Sequence, residues 1–143
     1  MKSCLFGGTF DPPHLGHLII AQTIFEAENF DRIVFIPAFL PPHKNGQDIS
    51  SVDHRMEMLK IAIRENPNFV LSDIEIKRKG LSYSIDTIID YKAQNNIKTD
   101  DLYYLIGSDT LKQFHKWKDP KSILEEARVI VAIRPGFRPS DIP

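Results

Sequence analysis

Apolar residues along the chain follow two rhythms: short β-branched or aromatic runs, and longer stretches spaced at three and four residues. Cys4-Leu5-Phe6 with the residues before it predicts a short buried strand ending at Gly7-Gly8. From Pro13 to Glu28, Leu18, Ala21, Ile24 and Phe25 recur at helical spacing, uninterrupted by glycine or proline after Gly16. Asp11 suits the N-cap of that helix and Pro13 its first position, where a missing N–H costs nothing. Arg32-Ile33-Val34-Phe35-Ile36 predicts a second strand closed by Pro37, and the proline-rich loop Pro41-Pro42-His43-Lys44-Asn45-Gly46 follows. Ser50 with Asp53 three residues on resembles a capping pair. Val52, Met56, Leu59 and Ile63 mark the inner face of the second helix, which Pro67 stops.

Phe69-Val70-Leu71 predicts a third strand, and Ile74, Ile76 and Lys77-Arg78-Lys79 an edge excursion before Gly80. Ser84 opens a third helix with Ile85, Ile88 and Ile89 inward and Asp86 in the first turn, where an acid complements the helix dipole. Leu102-Tyr103-Tyr104-Leu105-Ile106 predicts a strand ending at Gly107. Short helical pieces around Leu111 and Ile123 lead to Val129-Ile130-Val131-Ala132-Ile133, ended by Arg134-Pro135-Gly136. Such alternation is the pattern of a parallel sheet covered by helices on both faces. The expected fold class is α/β, a Rossmann-like doubly wound parallel sheet forming a single domain over residues 1–143. In such sheets ligands bind beyond the carboxyl ends of the strands. Residues 7–17, 37–46, 107–117 and 134–136 are therefore the segments to search for chemistry.

Composition narrows the classes. The chain has 143 residues, 42% hydrophobic and 26% charged, which is globular rather than disordered. Eighteen Lys+Arg against 19 Asp+Glu give a net charge of −1, so a general nucleic-acid or membrane-surface binder is not expected. Phosphate binding must come from local placement. One cysteine, Cys4, excludes a disulfide framework and an all-cysteine metal site, and a buried thiol is expected. The apolar N-terminal stretch is too short for a signal peptide, and no run approaches the ~18 residues of a membrane span. A cytoplasmic setting follows as the expectation.

The segment Gly7-Gly8-Thr9-Phe10-Asp11-Pro12-Pro13-His14-Leu15-Gly16-His17 carries the strongest chemical signal. Glycines after a strand let backbone N–H groups approach a ligand. A spacing of three puts His14 and His17 on one side of the first turns, at a helix N-terminus with free donors. Together these make an anion site suited to a polyphosphate. Zinc is disfavoured, because zincin histidines stand four apart with an intervening Glu. Walker A and G-x-G-x-x-G patterns are absent, as are the Ser-His-Asp spacing and the G-x-S-x-G elbow.

This segment resembles the signature of the nucleotidyltransferases with paired histidines, a superfamily that includes phosphopantetheine, nicotinamide-nucleotide and glycerol-3-phosphate enzymes. Later stretches resemble the bacterial nicotinate-nucleotide adenylyltransferases in particular. They are Ile36-Pro37 through Pro41-Pro42-His43-Lys44, then Ser82-Tyr83-Ser84-Ile85-Asp86-Thr87. Leu105-Ile106-Gly107-Ser108-Asp109-Thr110-Leu111 follows, with Phe114-His115-Lys116-Trp117 after it, and last Ile133-Arg134-Pro135-Gly136. The resemblance runs in order from residue 1 to about 136. It implies a sheet of the nucleotidyltransferase type. The family pattern continues with a late Ile-Ser-(Ser/Thr)-x-x-(Arg/Lys) helix start, which the sequence to Pro143 does not hold, so a chain short of that segment is expected.

The resemblance implies adenylyl transfer from ATP to nicotinate mononucleotide, releasing pyrophosphate, with Mg2+ accompanying the ATP and no metal site of the protein's own. His14, His17 and Lys44 are the implied catalytic residues. Gly7, Gly8, Thr9, Phe10, His17, Gly107 and Asp109 are implied to bind ATP, Asp109 through a ribose hydroxyl. Lys44, Tyr83, Ser84, Asp86, Thr87, Trp117 and Arg134 are implied to bind the nicotinate nucleotide, Trp117 offering a flat face to the pyridine ring. His43, His54 and His115 are expected at the surface without chemistry. Phosphopantetheine adenylyltransferase and an inactive nucleotide-binding module stand as alternatives. Oligomeric state and the preference between acid and amide nucleotides stay open.

Overall fold

The computed structural model describes residues 1–42 and 48–133. Its strands are β1 (Ser3–Gly8), β2 (Arg32–Pro37), β3 (Phe69–Leu71), β4 (Leu102–Gly107) and β5 (Arg128–Ala132). All pair in parallel, in the order β3-β2-β1-β4-β5. Central β1 places Cys4 opposite Ile33 on one side and Tyr103 on the other. The chain winds outward from β1 to β3 and then crosses to β4, so its winding reverses between β1 and β4. That reversal opens a crevice at the carboxyl ends of the two strands.

The helices are α1 (Leu15–Ala27), α2 (Val52–Ile63), α3 (Ile74–Arg78), α4 (Ser84–Asn95), α5 (Ser108–Leu111) and α6 (Pro120–Glu126). Successive strand side chains point to opposite faces, so each apolar run feeds two cores. On one face Leu5, Val34, Ile36, Leu102 and Ile106 meet Ile74 of α3, Ile85 and Ile88 of α4, and Ile123 of α6. On the other Cys4, Phe6, Ile33, Phe35 and Leu105 meet Ala21 of α1 and Leu59 and Ile63 of α2. Helices on both faces make the sheet doubly wound, as the alternation predicts. Cys4 is fully buried, and burial pushes its thiol well above the usual range.

Five local expectations are corrected. The first helix is capped by His14, not Asp11, and begins at Leu15, so Pro13 lies outside it. Asp11 is drawn elsewhere: its Oδ2 accepts the Ser50 N–H at 2.7 Å. Ser51, not Ser50, caps α2, accepting the His54 N–H. The inner face of α2 holds Arg55 with Leu59 and Ile63, while Val52 and Met56 stay half-buried. The expected edge excursion at 74–78 is a short helix that turns both Ile74 and Glu75 inward. Ile89 faces solvent, 47% exposed, because α4 buries Ile85, Thr87, Ile88 and Tyr91 instead.

Candidate active site

A cleft of about 680 Å³ opens at the carboxyl ends of β1 and β4, within the size range of small-molecule sites. One wall is the β1–α1 turn: Gly7, Gly8, Thr9, Phe10, His14 and His17 all line it. The other is built from Glu75, Ser82, Ser84, Tyr104, Gly107 and Trp117.

The two histidines are locked to each other. The His14 backbone N–H donates to His17 Nδ1 at 3.0 Å, so an imidazole makes the contact that a Glu or Gln usually makes in a capping box. An accepting Nδ1 leaves the ring's N–H at Nε2. The imidazoles stack with centroids 3.8 Å apart and planes 21° apart. Phe10 and Phe6 brace His17 edge-on, with centroids 5.0 and 5.9 Å away. Gly16 makes the stack possible: a Cβ there would stand 2.9 Å from Cε1 and Nδ1 of His14.

The glycines of β1 serve more than ligand approach. A Cβ on Gly7 would lie 3.0 Å from Tyr104 Oη, so a buried tyrosine already fills that space. Gly107 has open space where a Cβ would be, which widens the crevice at the end of β4. Phe10 takes a left-handed φ of 52°, unusual for a bulky residue, and drops its ring into the core between Phe6 and Phe35. With its side chain buried, what Phe10 presents to the cleft is chiefly backbone.

Arg55 holds this turn from behind, a residue that sequence reasoning missed. Only 1% exposed, it donates from Nη1 to the carbonyls of Thr9 (3.1 Å) and Ala38 (2.7 Å), and from Nε to that of Ser50 (3.0 Å). One guanidinium thus ties together the segments following β1 and β2 and the approach to α2. Burial lowers its pKa, and the Asp11 charge opposes that shift. The sequence signal was its place four residues before Leu59 and eight before Ile63, an inward position for a charged residue.

The opposite wall is polar and tightly bonded. Ser84 Oγ and Tyr104 Oη lie 2.8 Å apart, and burial raises the Tyr104 phenol so that it stays neutral. Trp117 is half-buried, braced by Tyr104 (6.4 Å, 89°) and Phe114 (5.3 Å). Glu75, also missed from sequence, is 4% exposed, and Thr87 Oγ1 donates to its Oε2 at 2.6 Å. Burial pushes its carboxyl up to about 7, against the Thr87 hydrogen bond, the Arg78 charge and a Ser82 hydrogen bond that all favour ionisation.

Not every implied residue reaches the cleft. Thr87 is fully buried and bonded to Glu75 and to Arg78 Nη2, so its hydroxyl supports the wall rather than facing a ligand. Asp86 pairs with Lys118 at 3.1 Å, and the Lys118 ammonium lies 4.8 Å from the Tyr83 ring centre. Neither Asp86 nor Tyr83 is among the residues that line the cleft. Lys44, Arg134 and His43 lie outside the described residues, as does the side chain of Asp109. His54 and His115 are exposed, as expected. Among the described residues no group of three His, Cys, Asp or Glu converges to hold a metal ion, and no helix is long and apolar enough to cross a membrane.

Comparison with known proteins fits this geometry. The cytidylyltransferase-like family matches residues 5–143. Nicotinate-nucleotide adenylyltransferase of Bacillus subtilis is 41% identical over 136 residues, spanning 95% of this chain and 71% of that protein. A Clostridium tetani protein named as a probable nicotinate-nucleotide adenylyltransferase is 44% identical over 137 residues, 95% of this chain and 67% of its own. Among solved structures, the nicotinic acid mononucleotide adenylyltransferase of Plasmodium falciparum complexed with NaAD superposes with a TM-score of 0.79. It is 19% identical, covering 99% of this chain and 71% of that one, and shows a shared fold.

Proposed function

We infer, for a chain that belongs to the nicotinate-nucleotide adenylyltransferases of the cytidylyltransferase-like family, that this cleft performs that family's reaction. An adenylyl group passes from ATP to nicotinate mononucleotide, giving nicotinate adenine dinucleotide and pyrophosphate, a step in NAD biosynthesis. The observation that carries it is the stacked His14–His17 pair facing, across one crevice, a wall with a tryptophan and a helix start. The first suits a triphosphate, the second a pyridine ring bearing an anionic group.

The nucleophile is the acceptor's own phosphate oxygen, which attacks the α-phosphorus as the bond to pyrophosphate breaks. With a second pKa near ~6 that phosphate is mostly dianionic at neutral pH, so no general base is needed. The work left is to gather several negative charges and to stabilise the one that develops on the leaving group. Backbone N–H groups of the β1–α1 turn and the Nε2–H of His17 are proposed to donate to phosphate oxygens. Lys44 is proposed to add a cation on the loop after β2, Asp109 to bind a ribose hydroxyl, and Arg134 to reach a substrate phosphate. The pyridine ring is proposed to lie on Trp117, its carboxylate toward the N–H groups at the start of α4. The described residues offer no converging set of carboxylates, so Mg2+ would ride on phosphate oxygens and water. When bound it neutralises phosphate charge.

Pyrophosphate release tests the assignment, with ATP offered nicotinate mononucleotide or phosphopantetheine and His17→Ala run in parallel. Turnover with the pyridine nucleotide and its loss in the variant are expected. Turnover with phosphopantetheine alone would overturn the choice of acceptor, and near-normal rates in His17→Ala the role of the histidine.

A further inference from the structure

Glu75 has no role in the reaction just described, yet it sits where three segments meet. Thr87 Oγ1 accepts from Arg78 Nη2 at 2.9 Å and donates to Glu75 Oε2 at 2.6 Å, with the Tyr83 carbonyl a more distant acceptor at 3.3 Å. From the other side, the Ser82 hydroxyl favours the ionised form of the same carboxyl. Ser82 Oγ is also the acceptor for the N–H groups of Phe39 (3.0 Å) and Leu40 (3.3 Å), just beyond β2, so its own proton is available to Glu75. Backbone contacts run in parallel: the Ser82 N–H donates to the Leu40 carbonyl at 2.9 Å, and Leu40 and Leu81 form a β-bridge. One carboxyl therefore fastens the first turn of α4, the residues leading into it, and the loop that follows β2. Residues 83–86, between Ser82 and Thr87, include the helix start that faces the cleft.

We propose that Glu75 is the positioning residue for the acceptor nucleotide: by accepting from Thr87 Oγ1 and facing the Ser82 hydroxyl, its carboxylate fixes the Ser82–Thr87 turn at the spacing the pyridine nucleotide requires. The inference rests on the acceptor assignment above and deepens it. The form that matters is the ionised one, since a hydrogen bond to a carboxylate is charge-assisted and about twice as strong as one to a neutral carboxyl. Its carboxyl titrates at about 7, so both forms are populated at neutral pH. The charged and titratable groups facing it are Arg78 from its own helix, which pairs with Asp90 of α4 at 3.0 Å, and Tyr104 of β4. Burial keeps Tyr104 neutral, leaving Glu75 as the group whose charge changes here between pH 6 and 8.

The chain's single tryptophan, Trp117, lines the same cleft and reports binding directly. Quenching of its emission by nicotinate mononucleotide, without ATP, gives an affinity at each pH from 6 to 8.5. Steady-state pyrophosphate release gives KM and kcat for both substrates. Wild-type affinity is expected to rise severalfold as pH climbs through 7. Glu75→Gln should weaken it about tenfold at pH 8, the worth of one buried charge-assisted hydrogen bond, and flatten that pH step. Its kcat and its KM for ATP should stay within about twofold, because the histidine wall is untouched. Titration of the ligand's phosphate is common to both proteins and cancels in their ratio. Glu75→Asp should recover part of the loss, and if Glu75→Gln does not fold, Ser82→Ala must show the same selective weakening. Equal affinities and pH profiles in wild type and variant, or a fall in kcat with KM unchanged, would overturn the proposal. Unsaturable quenching in the wild type would instead overturn the acceptor assignment, and the proposal with it.

Discussion

Arg55 offers the sharpest test of how this site is held. Replacing it with methionine keeps a stem of similar length but removes every donor. The carbonyls of Thr9, Ala38 and Ser50 then lose bonds of 3.1, 2.7 and 3.0 Å in a place almost closed to water. Each bond to a charged donor is worth about 1.5–3 kcal/mol, while removing a buried cation returns part of its desolvation cost. The net loss expected is about 3–5 kcal/mol, a large share of a small domain's stability. Arg55→Lys keeps the charge but not the fork, and an ammonium cannot serve carbonyls on both sides of the helix face at once. About half that loss is expected.

Urea unfolding monitored by far-UV circular dichroism measures the stability term. The functional term lies in the substrate whose affinity suffers. Thr9 closes the histidine wall and Ala38 begins the loop after β2, so Arg55→Lys should raise KM for ATP several times more than KM for nicotinate mononucleotide. A methionine variant within 1 kcal/mol of wild type would refute the reasoning about stability. Equal changes in both KM values would refute the reasoning about which wall the arginine holds.

Gly16→Ala would put a Cβ 2.9 Å from the His14 ring, which is exposed and can be pushed aside, so the helix should survive while the stack does not. Far-UV circular dichroism should be unchanged and pyrophosphate release should fall about tenfold or more, as for other small misplacements of active-site groups. A normal rate would show that the stack is dispensable. Glu75 makes stability depend on pH. Its carboxyl rises from the usual 4.5 to about 7 on folding, so the folded state holds the proton more tightly. That stabilisation is full below about 4.5 and declines as pH climbs to 7, by about 3 kcal/mol at ~1.4 kcal/mol per unit. Urea midpoints at pH 5 and pH 8 should show this decline in wild type and lack it in Glu75→Gln; parallel behaviour of the two would contradict it.

The strands were legible because a parallel sheet buried on both faces needs continuous apolar runs, and Ile33-Val34-Phe35-Ile36 admits no other role. The histidine wall was legible because its members are neighbours in sequence. What escaped depends on contacts across long separations. Asp11 is a favoured capping residue, yet its carboxylate serves a backbone N–H 39 residues later, and His17 supplies the acceptor at the helix start instead. Ile74 and Ile76 alternate like a strand, and a five-residue helix is too short for periodicity to outvote them. That misassignment would have turned Glu75 outward. Thr87, matched by motif, proves to be a support for the wall that Ser84 and Trp117 complete.

The geometry also constrains how the site meets its charged substrates. With Nδ1 of His17 accepting a backbone N–H, that ring is a directed donor at Nε2 rather than a fixed cation. Orientation must then do much of what charge would do, since a donor already aimed at the leaving group needs no reorganisation as the reaction proceeds. A mechanism of that kind is sensitive to displacements that a cluster of mobile lysines would absorb. It follows that Gly16 and Arg55, neither of which needs to touch a substrate, should prove as costly to alter as many residues that do.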